Sequence, residues 1–352
     1  SYVIKNTAKD KERIESLLDL LDKNGIQYGQ GSGAGKGYNY NSGKDESFTM
    51  SNDIVISAAQ PRSAMVKVLF EPKGRLVDSA TYDITAWALP YVYGVECFAS
   101  REKLNASGAV PKNKVTNEET SYGYVIPWNG IKTVHLAGQL LKKGILLRYA
   151  EQPFEVNGNK FDRGAIIVLK TANRSFGSNL WAEVRKAADA DNIKLYPVST
   201  GFVDKGFDFG SDKVHPFKAP KVVLLTGEGV GSNAAGEVWH FFEHQIDYPI
   251  TLINAADAGR ADWNEIDVVI LPDGNYKFLS DKAQTDAFKD WVNKGGRVVA
   301  LESAVGALAK AEFGIKLRKA DEGDKKDDKV NYEVLQKFEE RERSYLSTIT
   351  PG

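Results

Sequence analysis

From Lys221 onward, apolar runs alternate with helical stretches, and this pattern restricts the fold more tightly than anything else in the sequence. Val222-Val223-Leu224-Leu225 is a continuous apolar run. A strand solvated on one face alternates apolar with polar residues; a continuous run is expected where a parallel sheet is covered on both faces. A glycine-rich turn and a helix follow it. Then come Ile250-Thr251-Leu252-Ile253, Val268-Val269-Ile270-Leu271, a helix about Asp281–Asn293, Arg297-Val298-Val299-Ala300-Leu301, and a helix starting near Ser303. Crossovers of this kind predict a doubly wound α/β sheet of flavodoxin-like type.

The first half of the chain shows a plan used twice. Tyr2-Val3-Ile4 reads as a strand, and Ile14, Leu17, Leu18 and Leu21 follow at i, i+3, i+4, i+7, the spacing of an amphipathic helix. Asn24-Gly25 stops that helix, and Ile26-Gln27-Tyr28 begins a new strand. Further on, Tyr124-Val125-Ile126 is followed by a helix carrying Val134, Leu136, Ala137, Leu140 and Leu141, a stop at Lys143-Gly144, and the strand Ile145-Leu146-Leu147. Each copy then has a polar, glycine-containing hairpin region and one more apolar run: Asp53-Ile54-Val55-Ile56 and Gly164-Ala165-Ile166-Ile167-Val168. These features read as a divergent duplication of a β-α-β-β unit. The expected organisation is an α/β region over 1–120, its repeat over 121–218, and the doubly wound domain over 219–352. Residues 29–47, rich in Gly, Ser, Asn and Tyr, read as a flexible surface loop or a long hairpin. The aromatic stretch 78–98 is expected to be buried at a junction. The charged run Lys319–Lys329 reads as a solvated loop, and Tyr332–Leu346 has helical spacing.

Composition excludes several function classes. Of 352 residues, 46 are Lys or Arg and 47 are Asp or Glu, so no global field recruits nucleic acid or an anionic membrane. No run approaches the roughly 18 consecutive apolar residues of a membrane span. A single cysteine, Cys97, precludes an intrachain disulfide. The histidines are four: His135, His215, His240 and His244. The sequence opens on a strand without an initiator methionine or signal peptide and stops just after a charged helical run. Both ends are therefore expected to be cut from a longer polypeptide.

The motifs that suggest chemistry fall short of it. Gly31-Ser32-Gly33-Ala34-Gly35-Lys36-Gly37 has the look of a phosphate loop, but Gln30 and Gly37 occupy positions that need Gly and Ser or Thr. A mobile loop is expected instead. Gly227-Glu228-Gly229-Val230-Gly231-Ser232 follows a strand and opens a helix, the right setting for an anion. The dinucleotide fingerprint wants glycine at 232 and an acid where Asn254 stands, so a tight turn is the expected role. His240-Phe241-Phe242-Glu243-His244 spells an inverted zincin motif. However, the periodicity buries Ala235, Val238, Trp239, Phe242 and Ile246, which turns His240, Glu243 and His244 to solvent, and no third histidine follows. No G-x-S-x-G elbow occurs. Cys97 reads as a small buried hydrophobe. What remains is acidic. Glu228, Asp273 and Glu302 lie at the carboxyl ends of the predicted parallel strands, where open sheets bind ligands, and could form one crevice for a cation or a polyhydroxylated ligand.

Longer motifs carry a family resemblance. They are Gln60-Pro61-Arg62, Leu69-Phe70-Glu71-Pro72, Asp78-Ser79 through Tyr82-Asp83-Ile84-Thr85-Ala86-Trp87 to Leu89-Pro90, Gly227-Glu228-Gly229-Val230, Ala235-Gly236-Glu237-Val238-Trp239, Tyr248-Pro249-Ile250-Thr251, Leu271-Pro272-Asp273-Gly274 and Arg341-Glu342-Arg343. From about residue 50 onward the sequence resembles the non-catalytic region of large bacterial zinc carboxypeptidase-like proteins. That region follows the peptidase domain and ends in a module similar to class I glutamine amidotransferases. The resemblance implies that zinc and its ligands belong to a missing N-terminal carboxypeptidase domain, the expected partner, and that this chain holds no cofactor. It also implies an extracytoplasmic location, periplasmic or secreted. In the amidotransferase-like module the nucleophilic cysteine would stand after strand Arg297–Leu301, where this sequence has Glu302. A carboxylate cannot form the glutamyl thioester, so the module is expected to have the fold without the chemistry. The expected role is accessory: supporting the peptidase domain or binding its substrate. The alternatives are a glycan- or peptide-binding module using Glu228, Asp273 and Glu302, and an independent zinc hydrolase using His240, Glu243 and His244.

Overall fold

The computed structural model describes residues 1–7, 10–73, 88–111 and 114–318. The expectations for residues 78–87, for the charged run 319–329 and for the helix 332–346 lie outside the described residues. The structure is mixed α/β, with several sheets, one of them wholly parallel. It divides into two compact units, the first over Ser1–Lys112 and the second over Asn113–Leu317.

The first unit contains β1 (Tyr2–Ile4), α1 (Lys11–Lys23), β2 (Gly29–Asn39), β3 (Lys44–Ile56), α2 (Ser63–Phe70), α3 (Leu89–Tyr93) and β4 (Cys97–Ala99). Its strands close into an antiparallel barrel in the order β1-β3-β2-β4. The spacing of α1 does what it predicts. Ile14, Leu17, Leu18 and Leu21 are all buried, against Ile4, Ile54, Ile56 and Cys97, each contributing about 1.5–3 kcal/mol by burial. Successive residues of a strand face opposite ways, so Val3 and Val55 belong to a second cluster with Phe48, Met50 and Phe98.

Of the two readings of the glycine-rich stretch, the long hairpin holds and the mobile loop does not. Residues 29–56 form one long hairpin, and Gly31 to Gly37 run within β2, paired residue by residue to β3 apart from a bulge between Gly31 and Gly33. Glycine recurs at every second position from Gly29 to Gly37, which strips one face of the strand of side chains. The neighbours need that space: a Cβ on Gly31 would stand 2.4 Å from Cγ2 of Val55. The loss in strand propensity is offset by the closeness with which β3 packs.

The second unit begins with β5 (Gly123–Ile126), α4 (Ile131–Lys142), β6 (Leu147–Ala150), the hairpin β7 (Phe154–Val156) and β8 (Asn159–Phe161), β9 (Ile166–Leu169), α5 (Leu180–Ala190), β10 (Tyr196–Val198) and β11 (Val214–Phe217). Five of these strands form an antiparallel sheet ordered β10-β5-β9-β6-β11. Helices α4 and α5 pack on one face through Leu136, Leu140, Val184 and Ala188. The β7–β8 hairpin packs on the other face through Phe154, Val156 and Phe161. The helix–strand–strand succession of the first unit recurs here with the same neighbours: β1-β3-β2 in one sheet, β5-β9-β6 in the other.

The rest of the unit is β12 (Val222–Thr226), α6 (Ser232–His240), a π-helical turn Phe241–Gln245, β13 (Thr251–Asn254), β14 (Val268–Leu271), α7 (Lys282–Asn293), β15 (Arg297–Ala300) and α8 (Ser303–Lys310). The four strands are parallel, in the order β13-β12-β14-β15. Both faces are covered over β12 and β14. Val223, Leu225, Val269 and Leu271 meet Phe288 of α7 and Ala304 and Leu308 of α8, while Leu224 and Ile270 meet Val238 and Phe242.

Candidate functional site

The three carboxylates singled out in the sequence all lie at the carboxyl end of the parallel sheet, each two residues past its strand: Glu228 after β12, Asp273 after β14, Glu302 after β15. The chain order of the strands reverses between β12 and β14, which makes the loops after these two the place where an open sheet offers a crevice. These loops are laced together. Gly231 N–H donates to Asp273 O at 2.8 Å, and Asn275 N–H donates to Gly229 O at 2.7 Å. Val230 N–H turns back to Gly227 O at 3.1 Å. Gly229 has φ +89°, and a Cβ there would stand 2.7 Å from Asn275 O, so only glycine fits. The amides of Val230 and Gly231, which in a phosphate loop would face an anion, are thus engaged within the protein.

The carboxylates part company in their surroundings. Asp273 accepts a hydrogen bond from Ser303 N–H at 3.2 Å and a short one from the Ser303 hydroxyl. The same hydroxyl oxygen accepts from Gly274 N–H at 3.0 Å. Ser303 is the neighbour of Glu302, so Asp273 and Glu302 are brought to one corner. Glu228 is held elsewhere: Lys277 Nζ donates to its Oε1 at 2.9 Å. Both side chains are largely exposed, 80% for Lys277 and 78% for Glu228. The hydrogen bond and charge of Lys277 hold the Glu228 carboxyl below its ordinary range. Beneath the corner, the buried Tyr276 hydroxyl donates to Pro272 O at 2.6 Å. Burial, and then the charge of Asp273, push that phenol above its ordinary value.

Glu302 has an unusual backbone, φ +49° and ψ −120°, just before α8. A non-glycine residue held there stores about 1–3 kcal/mol of strain. The residue is the pivot of a sharp strand-to-helix turn, and its carboxylate caps no helix amide.

The histidine motif, which spans the end of α6 and the π-helical turn after it, assembles differently from a metal site. The rings of His240 and His244 lie 5.0 Å apart, and both residues and Glu243 are exposed, as the periodicity predicts. Among the described residues no three His, Cys, Asp or Glu side chains are grouped to share a metal ion. Trp239 corrects the periodicity reading. It is 38% exposed and stands edge-on to His244 at 5.6 Å. The sheet is met by Val238 and Phe242, with Ile246 buried beyond the π-helical turn, so the covered stripe is narrower than the spacing implies. Cys97 is fully buried in β4, which pushes its thiol well above the ordinary value. The remaining histidines are paired across long separations: His135 Nδ1 lies 2.7 Å from Asp191 Oδ2, and His215 Nε2 lies 2.9 Å from Glu151 Oε2. Sequence reasoning missed Lys277 and Ser303 as partners of the carboxylates. A signal existed only for Ser303, which directly follows Glu302 at a predicted strand-to-helix turn.

Comparison with known protein families, with curated proteins and with solved structures finds no match to this protein.

Proposed function

We propose that this chain is the accessory, non-catalytic region of a zinc carboxypeptidase-like metallopeptidase, supporting the peptidase domain or binding its substrate. In this reading 1–120 and 121–218 are diverged copies of one β-α-β-β unit. Residues 219–352 are a flavodoxin-like domain descended from a class I glutamine amidotransferase fold, and the setting is extracytoplasmic. Zinc belongs to the peptidase domain, not to the residues of this chain.

One observation carries the reading: the turn at Glu302. A strained, sharp turn between strand and helix is how α/β enzymes expose a nucleophile at the top of a sheet. Here that turn follows β15 with a carboxylate in place of a thiol. Strain kept where there is no nucleophile to present is what a lost active site leaves behind. The same-neighbour order β1-β3-β2 and β5-β9-β6 supports the duplication, and the order β13-β12-β14-β15 supports the flavodoxin-like assignment.

The test has two arms. The purified protein, supplied with zinc, is assayed for release of C-terminal residues from peptides and for ammonia from glutamine. Neither is expected, and robust turnover of either overturns the proposal. In the second arm the full reading frame is read upstream of Ser1. An H-x-x-E with a distant histidine is expected, and its absence overturns the metallopeptidase parentage. A binding role at Glu228, Asp273 and Glu302 is the second reading, favoured by the hydrogen bonds that tie Asp273 to Ser303, the residue after Glu302. It requires that Glu228→Gln and Glu302→Gln abolish retention on immobilised glycans or peptides.

A further inference from the structure

Three Asn-Gly pairs occur in the sequence, Asn24-Gly25, Asn129-Gly130 and Asn157-Gly158, and the fold treats them unequally. Asparagine is a thermolabile residue, most of all before glycine, because the unhindered glycine nitrogen can attack the side-chain amide carbon. The attack needs two freedoms: the asparagine amide must swing over the following peptide, and that peptide's N–H must be available.

At Asn24 both are tied. Its Nδ2 donates to Leu20 O at 2.8 Å, and Gly25 N–H donates to Asp22 O at 3.0 Å. At Asn157 both are tied again, with Nδ2 donating to Pro197 O at 3.2 Å and Gly158 N–H donating to Asp204 Oδ2 at 3.2 Å. At Asn129 neither is tied. Its side chain is exposed and has no partner among the described residues, and Gly130 N–H donates to no described group. The pair lies in the short connection between β5 and α4, where Gly130 precedes the helix in an extended conformation, φ 169° and ψ −163°.

We propose that Asn129 is a site of spontaneous deamidation in the folded protein. Gly130 nitrogen attacks Cγ of Asn129, a new bond forms between them, and the bond from Cγ to Nδ2 breaks. Ammonia leaves with the proton from the glycine nitrogen. Water then opens the cyclic imide at either carbonyl, leaving aspartate or isoaspartate at position 129. Only water is consumed. The product is favoured where it forms, since a carboxylate next to the first turn of α4 meets the positive end of the helix dipole. The counterpart helix α1 already carries a carboxylate there, Asp10.

The test is a time course of the full-length protein at mildly alkaline pH, read by peptide mass mapping and by isoaspartate-specific methyl labelling. The peptide spanning Asn129 is expected to gain acid and isoaspartate forms. Those of Asn24 and Asn157 are expected to convert slower by roughly tenfold or more, since each must first break two hydrogen bonds. In the urea-unfolded protein the three rates are expected to converge, which assigns the difference to the fold. Asn129→Gln is expected to remove the fast product. Equal rates at the three pairs in the folded protein, or an Asn129 that stays intact folded while it converts unfolded, would overturn the proposal.

Discussion

The two β-α-β-β regions place first, third and second strands side by side in the same order, yet one closes into a barrel and the other stays open. The difference lies in strand length and in one short strand. In the first unit β2 and β3 run for 11 and 13 residues. They are long enough to bend, and β4 pairs with β1 through Tyr2–Ala99 and with β2 through Tyr38–Ala99. In the second unit β5, β6 and β9 have four residues each. Separate strands, β10 and β11, extend the two edges instead. A shared succession of elements therefore fixes which strands are neighbours but leaves closure to their length and side-chain bulk.

This contrast can be strained at several points. The largest effects belong to what the regions share, the helix seated on its sheet. Leu17→Ala in α1 and Leu136→Ala in α4 are each expected to cost about 3 kcal/mol in urea unfolding, and the costs should add in the double variant because the sites lie in different units. Next comes the feature peculiar to the barrel. Gly31→Val drives a side chain into Val55 and is expected to cost about 2 kcal/mol, with loss of the near-ultraviolet signal of the first unit. A tolerated valine would mean that closure does not depend on the bare face of β2.

Glu302 gives the control outside both regions. Glu302→Gly is expected to raise stability by about 1 kcal/mol by relieving the left-handed turn, whereas Glu302→Ala keeps the strain and gains nothing. Smallest are the surface carboxylates. Glu46, near the start of β3, is held below its usual range by hydrogen bonds from Ser42 and then Asn39. Glu151, after β6, is held down first by the hydrogen bond from His215 and then by Lys213. A depressed folded value means that the contribution is present above the ordinary carboxylate range and is lost as pH falls below it. Glu46→Gln and Glu151→Gln should therefore lower Tm slightly at neutral pH, the gap closing in acid. A gap that widened in acid would reverse the sign.

The sequence was legible where the pattern of covered faces decides the structure. The stripe Ile14, Leu17, Leu18, Leu21 and the parallel strand Val222–Leu225 are written in apolar spacing alone, and both stand as read. The glycine strand was legible only as one of two alternatives, a loop or a long hairpin, because glycine carries no strand preference of its own and its place in β2 is set by Val55 and Phe48 of the neighbouring strand β3. Trp239 failed for a related reason: spacing gives a stripe but not its width, which the packing partners set. At the candidate site the positions of Glu228, Asp273 and Glu302 followed from the strand ends. Their partners did not, for Lys277 lies 49 residues from Glu228 and Ser303 lies 30 from Asp273. The pairing of His135 with Asp191 spans 56 residues and has no local signature at all.

The lacing of the loops after β12 and β14, continued through Ser303 to the turn after β15, has a mechanical consequence. The three connections are bonded to one another rather than each standing alone. Displacing any one of them would have to break bonds to its neighbours, so a molecule bound at this rim would have to fit it as it stands.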